Sequence, residues 1–283
     1  MDARTTVRSL AAARIGQPVY AALAQRSFSR AAVLSVHRQV INLMTPDGDL
    51  AALVAPPVGA GPFNIVLHGW PSAWLDLTPG MRADCTPSTL QIGAWRIDLT
   101  TASRWQPQPD WALLAQAPGL AAGIAALQRW LLTEPAWLLT EPAWPLTRQL
   151  DRLSAHALQM RVEAVLQAPA NSVLADALTA LIGLGPGLTP AGDDWLAGWL
   201  LRWRLDAAAA APPLRLADLT RTTRLSQAFL RAAWAGWVDE PWQGLLTALA
   251  RHEVSGIQRQ AQQIMQHGAT SGCAMLSGFL RSL

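Results

Sequence analysis

The apolar residues of this chain change their spacing near residue 110. Upstream they fall in short runs rich in β-branched residues, VLSVHRQVINLMT, NIVLHG and STLQIGAWRIDLT, separated by turn chemistry at Pro46-Asp47-Gly48-Asp49, Gly59-Ala60-Gly61-Pro62 and Thr78-Pro79-Gly80. This pattern predicts a compact antiparallel β subdomain. Ahead of it, Thr6 to Gln25 is rich in Ala, Leu and Arg, which predicts a helix up to or around Pro18, where the proline interrupts it.

From Asp110 onward Ala, Leu, Gln and Arg dominate at helical period, and β-branched residues thin out. The expected fold class is therefore α+β. A β-rich N-terminal subdomain with a leading helix is assigned to 1–110, and a mainly α-helical domain to 111–283. Within the latter, LLTEPAW at Leu131 to Trp137 is repeated at Leu138 to Trp144. Two copies make no solenoid, and the repeat is read as an insertion in a tolerant surface loop whose Thr-Glu-Pro units start turns or helices. AAAAAPP, Ala207 to Pro213, is expected to end the helix that carries Trp195, Trp199 and Trp203 on one face, a stripe read as core or subunit interface rather than ligand platform.

Composition narrows the chemistry. All 22 basic residues are arginine, so the chain lacks the lysine of Schiff bases, pyridoxal phosphate enzymes, P-loops and kinases. Any anion must be held by arginine, backbone N–H groups or a metal. The net charge of +3 comes without a basic stripe or interleaved aromatics, which argues against a nucleic-acid partner. Two cysteines, Cys85 and Cys273, give neither a disulfide framework nor a zinc-ligand spacing and point to a reducing compartment. The N-terminus is interrupted by arginines where a signal peptide would be apolar, and the least polar run, Trp111 to Leu127, is shorter than the roughly 20 residues of a membrane span. A cytoplasmic protein with no membrane partner is expected.

The segment with the most distinctive chemistry is GLGPGLTPAGDD at 183–194. Thr189-Pro190 is a helix-start signal, a capping hydroxyl followed by a proline whose missing N–H costs nothing in the first turn. Gly183, Gly185 and Gly187 allow positive φ, so that consecutive N–H groups can converge on an oxyanion at a helix N-terminus. Asp193 and Asp194 favour the helix dipole but repel a phosphate. Their charge calls for Mg²⁺ bridging to phosphate oxygens, or for an arginine from Arg202, Arg204, Arg221 or Arg224. The plainer alternative is that both aspartates only cap the helix.

Two further segments share this character. HGATSGCAMLSG, from His267, places Thr270, Ser271 and Gly272 at a helix start, and RTTRLSQAFLRAAWAG offers Thr222, Thr223 and Ser226 beside Arg224. The expectation is that all three segments converge on a small anionic ligand. Gly183, Gly185, Gly187, Thr189, Thr222, Thr223, Ser226, Arg224, Thr270, Ser271 and Gly272 would bind it, while Asp193 and Asp194 hold a metal or act in catalysis. Signals for nucleophilic catalysis are weak: the chain has no GxSxG, and His37, His68, His156, His252 and His267 show no HExxH spacing.

LIGLGPGLTPAGDDWLAG at Leu181 to Gly198, TTRLSQAFLRAAWAG at Thr222 to Gly236, HGATSGCAMLSG, and the upstream VINLMTPDGDLAALV and GAGPFNIVL resemble the AllH-like family. The GLTPxGDD element is the specific part. The resemblance implies a subunit of oxamate carbamoyltransferase, active in purine (allantoin) catabolism. It would act with two other subunits, one FdrA-like and related to acyl-CoA synthetases, to convert carbamoyl phosphate and oxamate into oxalurate and phosphate. Two other readings stay open, a non-catalytic assembly subunit and a stand-alone Mg²⁺-dependent enzyme of phosphate ligands.

Overall fold

The computed structural model of the chain describes residues 7–25, 28, 30–72, 74, 76–134, 152–169, 172–206, 211–268 and 270–280. The repeat from Pro135 through Trp144 lies outside the described residues, as do residues 207–210 of the AAAAAPP breaker. The chain divides into two units, one of residues 1–107 with 238–240 and one of residues 108–237 with 241–283.

The first unit is a sheet closed on itself. Its strands are β1 (Arg8–Gly16), β2 (Ala31–Val36), β3 (Val40–Met44), β4 (Leu50–Val54), β5 (Asn64–Leu67), β6 (Arg82–Cys85), β7 (Thr89–Ile92), β8 (Trp95–Asp98) and β9 (Ser103–Trp105). They run in the order β5-β4-β3-β2-β6-β7-β8-β1-β9, and a β1–β5 pairing closes the barrel. Most pairings are antiparallel, as the short alternating runs led one to expect, but β4–β5, β1–β8 and β1–β9 are parallel. Closure removes most of the free edge that an open sheet would present. Ile15, Val33, Ile41, Leu43, Leu53, Ile65, Leu67, Leu90 and Ile97 fill the interior.

The helix expected over Thr6 to Gln25 is corrected by the structure. Residues 8–16 form β1, whose second half pairs with β5 on one side and β9 on the other. Ala and Leu favour helix weakly, whereas barrel closure satisfies a whole row of backbone groups, so the tertiary context decides. Pro18 does not end a helix; it lies in the first turn of α1 (Gln17–Ala24), where its missing N–H is harmless. That helix buries Val19 and Leu23 in the barrel core, each side chain contributing about 2 kcal/mol.

Glu240 is bound into the first unit. Its carboxylate accepts from Nη1 and Nη2 of Arg14, each at 2.8 Å, and from the Ala60 N–H at 2.9 Å. The Arg14 contact holds the Glu240 carboxyl below the usual glutamate range. Both side chains are substantially solvated, which screens the pair. Glu240→Ala should therefore cost about 1–2 kcal/mol of stability, and Glu240→Gln, which still accepts from Ala60, should cost less. Urea midpoints of the two variants check that order.

The second unit is helical: α2 (Trp111–Ala115), α3 (Leu120–Leu131), α4 (Arg152–Gln167), α5 (Ser172–Thr179), α6 (Ala191–Asp206), α7 (Arg224–Ala235), α8 (Glu240–Arg251), α9 (Val254–Met265) and α10 (Ser271–Leu280). Every residue of α6 from Ala191 to Leu201 is buried, the mark of a helix enclosed on all sides. It packs against α2, α7 and α10. Trp195 and Trp199 of the tryptophan stripe are core, and Trp199 stacks on Trp203 with ring centroids 5.3 Å apart.

Glycine sets the distance between α6 and α10. A Cβ at Gly198 would lie 1.8 Å from the Met275 carbonyl oxygen, and one at Gly278 would lie 2.0 Å from that of Trp195. The two backbones therefore touch. No helix among the described residues is long and apolar enough to cross a membrane.

Candidate functional site

The three segments singled out in the sequence meet at the N-terminus of α6. The loop before it turns through Gly183, Gly185 and Gly187 with φ of 75°, 115° and 94°. At Gly183 a side chain is excluded twice over, since a Cβ would also stand 2.6 Å from the Arg221 carbonyl oxygen. The loop then folds back on the helix it precedes, and Gly192 N–H donates to the Leu184 carbonyl at 2.9 Å.

Pro190 lies just before the first helical residue, Ala191, and its carbonyl accepts from the N–H groups of Asp193 and Asp194 at 2.9 and 3.1 Å. Three N–H groups of the first turn are thus already paired. The Thr189 hydroxyl, expected as their cap, lies 3.1 Å from the Ser271 hydroxyl and hydrogen-bonds the Asp194 carboxyl.

Asp193 is only 2% exposed, and its partners come from both sides of the junction. Its Oδ1 accepts the Gly183 N–H at 2.8 Å, its Oδ2 accepts the Thr222 hydroxyl, and the Ser226 hydroxyl adds a further hydrogen bond. Burial raises its pKa against those hydrogen bonds, which lower it. The carboxyl therefore ties the glycine loop to the start of α7.

Asp194, 8% exposed, ties α6 to α10 in the same way, through hydrogen bonds with Ser271 and Thr189. Burial pushes its pKa up to about 7, and the neighbouring Asp193 charge adds to the rise. Its Oδ2 is buried without a hydrogen-bond partner. A buried carboxylate oxygen left unpaired is costly, and among the described residues of the junction this is the one buried side-chain oxygen that lacks a complement.

The remaining candidates stand around this pair. Thr223 caps α7, accepting the Ser226 N–H at 3.1 Å and donating to the Leu188 carbonyl. Arg224 is exposed in the first turn of α7. The Thr270 carbonyl accepts the Ala274 N–H, and Gly272 lies where a Cβ would meet the Ile264 carbonyl oxygen at 1.8 Å. Gly185 and Gly187 shape the turn. Of the other arginines considered as counter-charges, Arg202 pairs with Asp206, Arg204 donates to the Trp234 carbonyl and Arg221 to the Thr179 carbonyl.

Sequence reasoning did not single out Gly192, Gly198 and Gly278 as close-packing positions, though a signal was present. Gly192 and Gly198 are six residues apart in α6, as are Gly272 and Gly278 in α10, and at all four an added Cβ would lie within 2.2 Å of a carbonyl oxygen of a neighbouring segment. Among the described residues no group of three or more His, Cys, Asp and Glu side chains is placed to hold a metal ion. A cation on Asp193 and Asp194 would have to complete its shell with hydroxyl, water or substrate oxygens. Burial raises the pKa of both thiols, that of Cys85 to about 12, so neither is a ready nucleophile near neutral pH.

Comparison with known proteins gives the family of the chain. Residues 181–283, which contain the whole junction, match the model of the family described as oxamate carbamoyltransferase subunit AllH, and residues 11–104 match that of the AllH family N-terminal domain. No solved structure matches the chain. With both models matched and the GLTPxGDD element built into the junction of α6, α7 and α10, the chain belongs to the AllH family, whose members are described as oxamate carbamoyltransferase subunits.

Proposed function

We propose that this chain is a subunit of a cytoplasmic carbamoyltransferase complex, and that the Asp193/Asp194 junction holds a small substrate of the transfer. Carbamoyl phosphate and oxamate, or a related small amide, would react to an oxalurate-like product and phosphate. The other subunits, one of them FdrA-like, would be its partners. The observation that carries the reading is the pair of buried carboxyls where three hydroxyl-bearing segments converge, inside the region that matches the AllH model.

The chemistry suits such a pair. When the amide nitrogen of the acceptor attacks the carbamoyl carbon, a C–N bond forms, the bond to the phosphate oxygen breaks, and the nitrogen must lose a proton. A carboxyl with a pKa near 7 can take that proton at neutral pH, whereas an ordinary aspartate is too weak a base. Arg224, exposed at the start of α7, is the arginine we assign to the departing phosphate. Asp193 and Asp194 are the residues that would hold a Mg²⁺ ion, which would supply positive charge to offset that of the phosphate.

Gly198, Gly272 and Gly278 are taken up by helix packing within the chain, so they add nothing to the assembly-subunit reading. The test is thermal unfolding of the purified chain with phosphate, carbamoyl phosphate or oxamate, each with and without Mg²⁺, alongside Asp193→Asn. A ligand at a hundred times its dissociation constant should add about 2.7 kcal/mol to stability, and the variant should lose that gain. Stabilisation that survives in Asp193→Asn would place the ligand elsewhere.

A further inference from the structure

The acid pair is shut away from solvent. Asp193 is 2% and Asp194 8% exposed, and the unpartnered Asp194 Oδ2 is itself closed to water. A ligand can meet these carboxyls only if part of the junction moves. The thinnest cover is the glycine loop: Thr189, which bonds the Asp194 carboxyl, is half-buried, and Pro186, Gly187 and Leu188 just before it are exposed, Leu188 by 42%.

This cover is also weakly fastened. Among the described residues the N–H groups of Gly185, Gly187, Leu188 and Thr189 have no acceptor, and a Cβ at Gly187 would meet nothing within 4 Å. Side chains hold the stretch instead: the Thr223 hydroxyl donates to the Leu188 carbonyl, and the Thr189 hydroxyl meets that of Ser271. On either side the backbone is anchored, since Leu184 accepts from Gly192, and Pro190 from Asp193 and Asp194. Gly185 and Gly187, at φ of 115° and 94°, are the residues best able to absorb the dihedral change of a hinge. Unpaired backbone groups and few buried contacts mark the segments of a protein that open locally at little cost.

Resting on the proposed ligand site, we infer that residues 185–189 are a lid over Asp194, latched by the Thr223 hydroxyl, and that the conformation described above is its closed state. Opening lifts Thr189 off the Asp194 carboxyl and admits a small substrate to the acid pair.

The test needs no ligand, so it can fail while the ligand site stands. In the full chain with Cys85→Ala and Cys273→Ala, Asp194→Cys puts a thiol under the lid, and its labelling by methyl methanethiosulfonate is timed at pH 8. Labelling should proceed through local opening, at a rate independent of urea well below the unfolding midpoint. Thr223→Asp still accepts the Ser226 N–H as the cap of α7 but has no hydrogen to give the Leu188 carbonyl, and should speed labelling by roughly three- to tenfold. Thr223→Ser, which keeps both bonds, should label at the parent rate. In the chain with its own aspartate and cysteines, the amides of Gly185, Gly187, Leu188 and Thr189 should show millisecond exchange by NMR relaxation dispersion, larger with Thr223→Asp. Labelling that rises with urea in step with global unfolding, a rate that Thr223→Asp leaves unchanged, or flat dispersion profiles at all four amides would overturn the lid.

Discussion

Asp194→Asn should make the protein less sensitive to alkaline pH and more stable than wild type above pH 8. The aspartate is buried, and its pKa rises from 3.8 unfolded to about 7 folded. Between those values the folded chain keeps a proton that the unfolded chain gives up, so stability is greatest at the acid end. It falls as pH climbs toward 7, by roughly 4 kcal/mol across the whole window. Asp193, whose pKa is also raised by burial, pushes in the same direction.

The asparagine cannot ionise and carries none of this penalty. Near pH 5, where the folded Asp194 is still largely protonated, less than half of this penalty has been incurred, and the cost of fitting an amide into the site, about 1–3 kcal/mol at most, largely offsets it. Between pH 5 and 8.5 the difference should move in favour of the variant by about 3 kcal/mol. Urea midpoints at the two pH values measure it directly. Parallel pH profiles would mean that Asp194 is ionised in the folded protein at no cost, and the basis for treating it as a proton acceptor near neutrality would go with it.

Gly198→Ala is the second large effect, and it should destabilise the helical unit by about 3 kcal/mol or more. The added methyl would stand 1.8 Å from the Met275 carbonyl oxygen, an atom of the α10 backbone that no rotamer change can move aside. The helices must separate, and dispersion contacts along the crossing are lost with them. Gly278→Ala meets the Trp195 carbonyl from the other side of the same crossing at 2.0 Å and should cost a similar amount.

Once one methyl has forced α6 and α10 apart, the second finds part of the room already made. The double variant should therefore cost clearly less than the sum of the singles, and a cycle of denaturant midpoints reads the coupling. Strict additivity would show that the two glycines do not share one contact. The separation should also reach the candidate site, since Asp194 lies on α6 and its partner Ser271 opens α10. Ligand stabilisation should weaken in both single variants.

Much of this architecture is legible in the sequence, because local chemistry and tertiary demand agree there. The hairpins of β2 with β3 and β7 with β8 follow alternating apolar runs and their turns, and α7 follows its Thr223 cap and its Gly236 stop, the latter in the left-handed conformation. GLGPGLTPAGDD and the two hydroxyl-bearing helix starts stand out for the same reason: glycines, a Thr-Pro and paired carboxyls are rare together in an Ala/Leu-rich chain. Residues 8–16 could not be read this way. Their composition favours a helix, and only the partners β5, β8 and β9, each from far along the chain, make them a strand.

The site divides along the same line. Residue type alone determined which groups carry chemistry: two aspartates, six candidate hydroxyls and no lysine anywhere. Where each hydrogen bond goes was decided by tertiary structure. Gly183 could have offered its N–H to a ligand, and folding gives it to Asp193; Thr189 could have capped α6, and α10 brings Ser271 to meet it. A side chain's identity fixes what it can donate or accept, but its partner is whichever group the packed helices place within about 3 Å, and its pKa follows from how much water that packing removes.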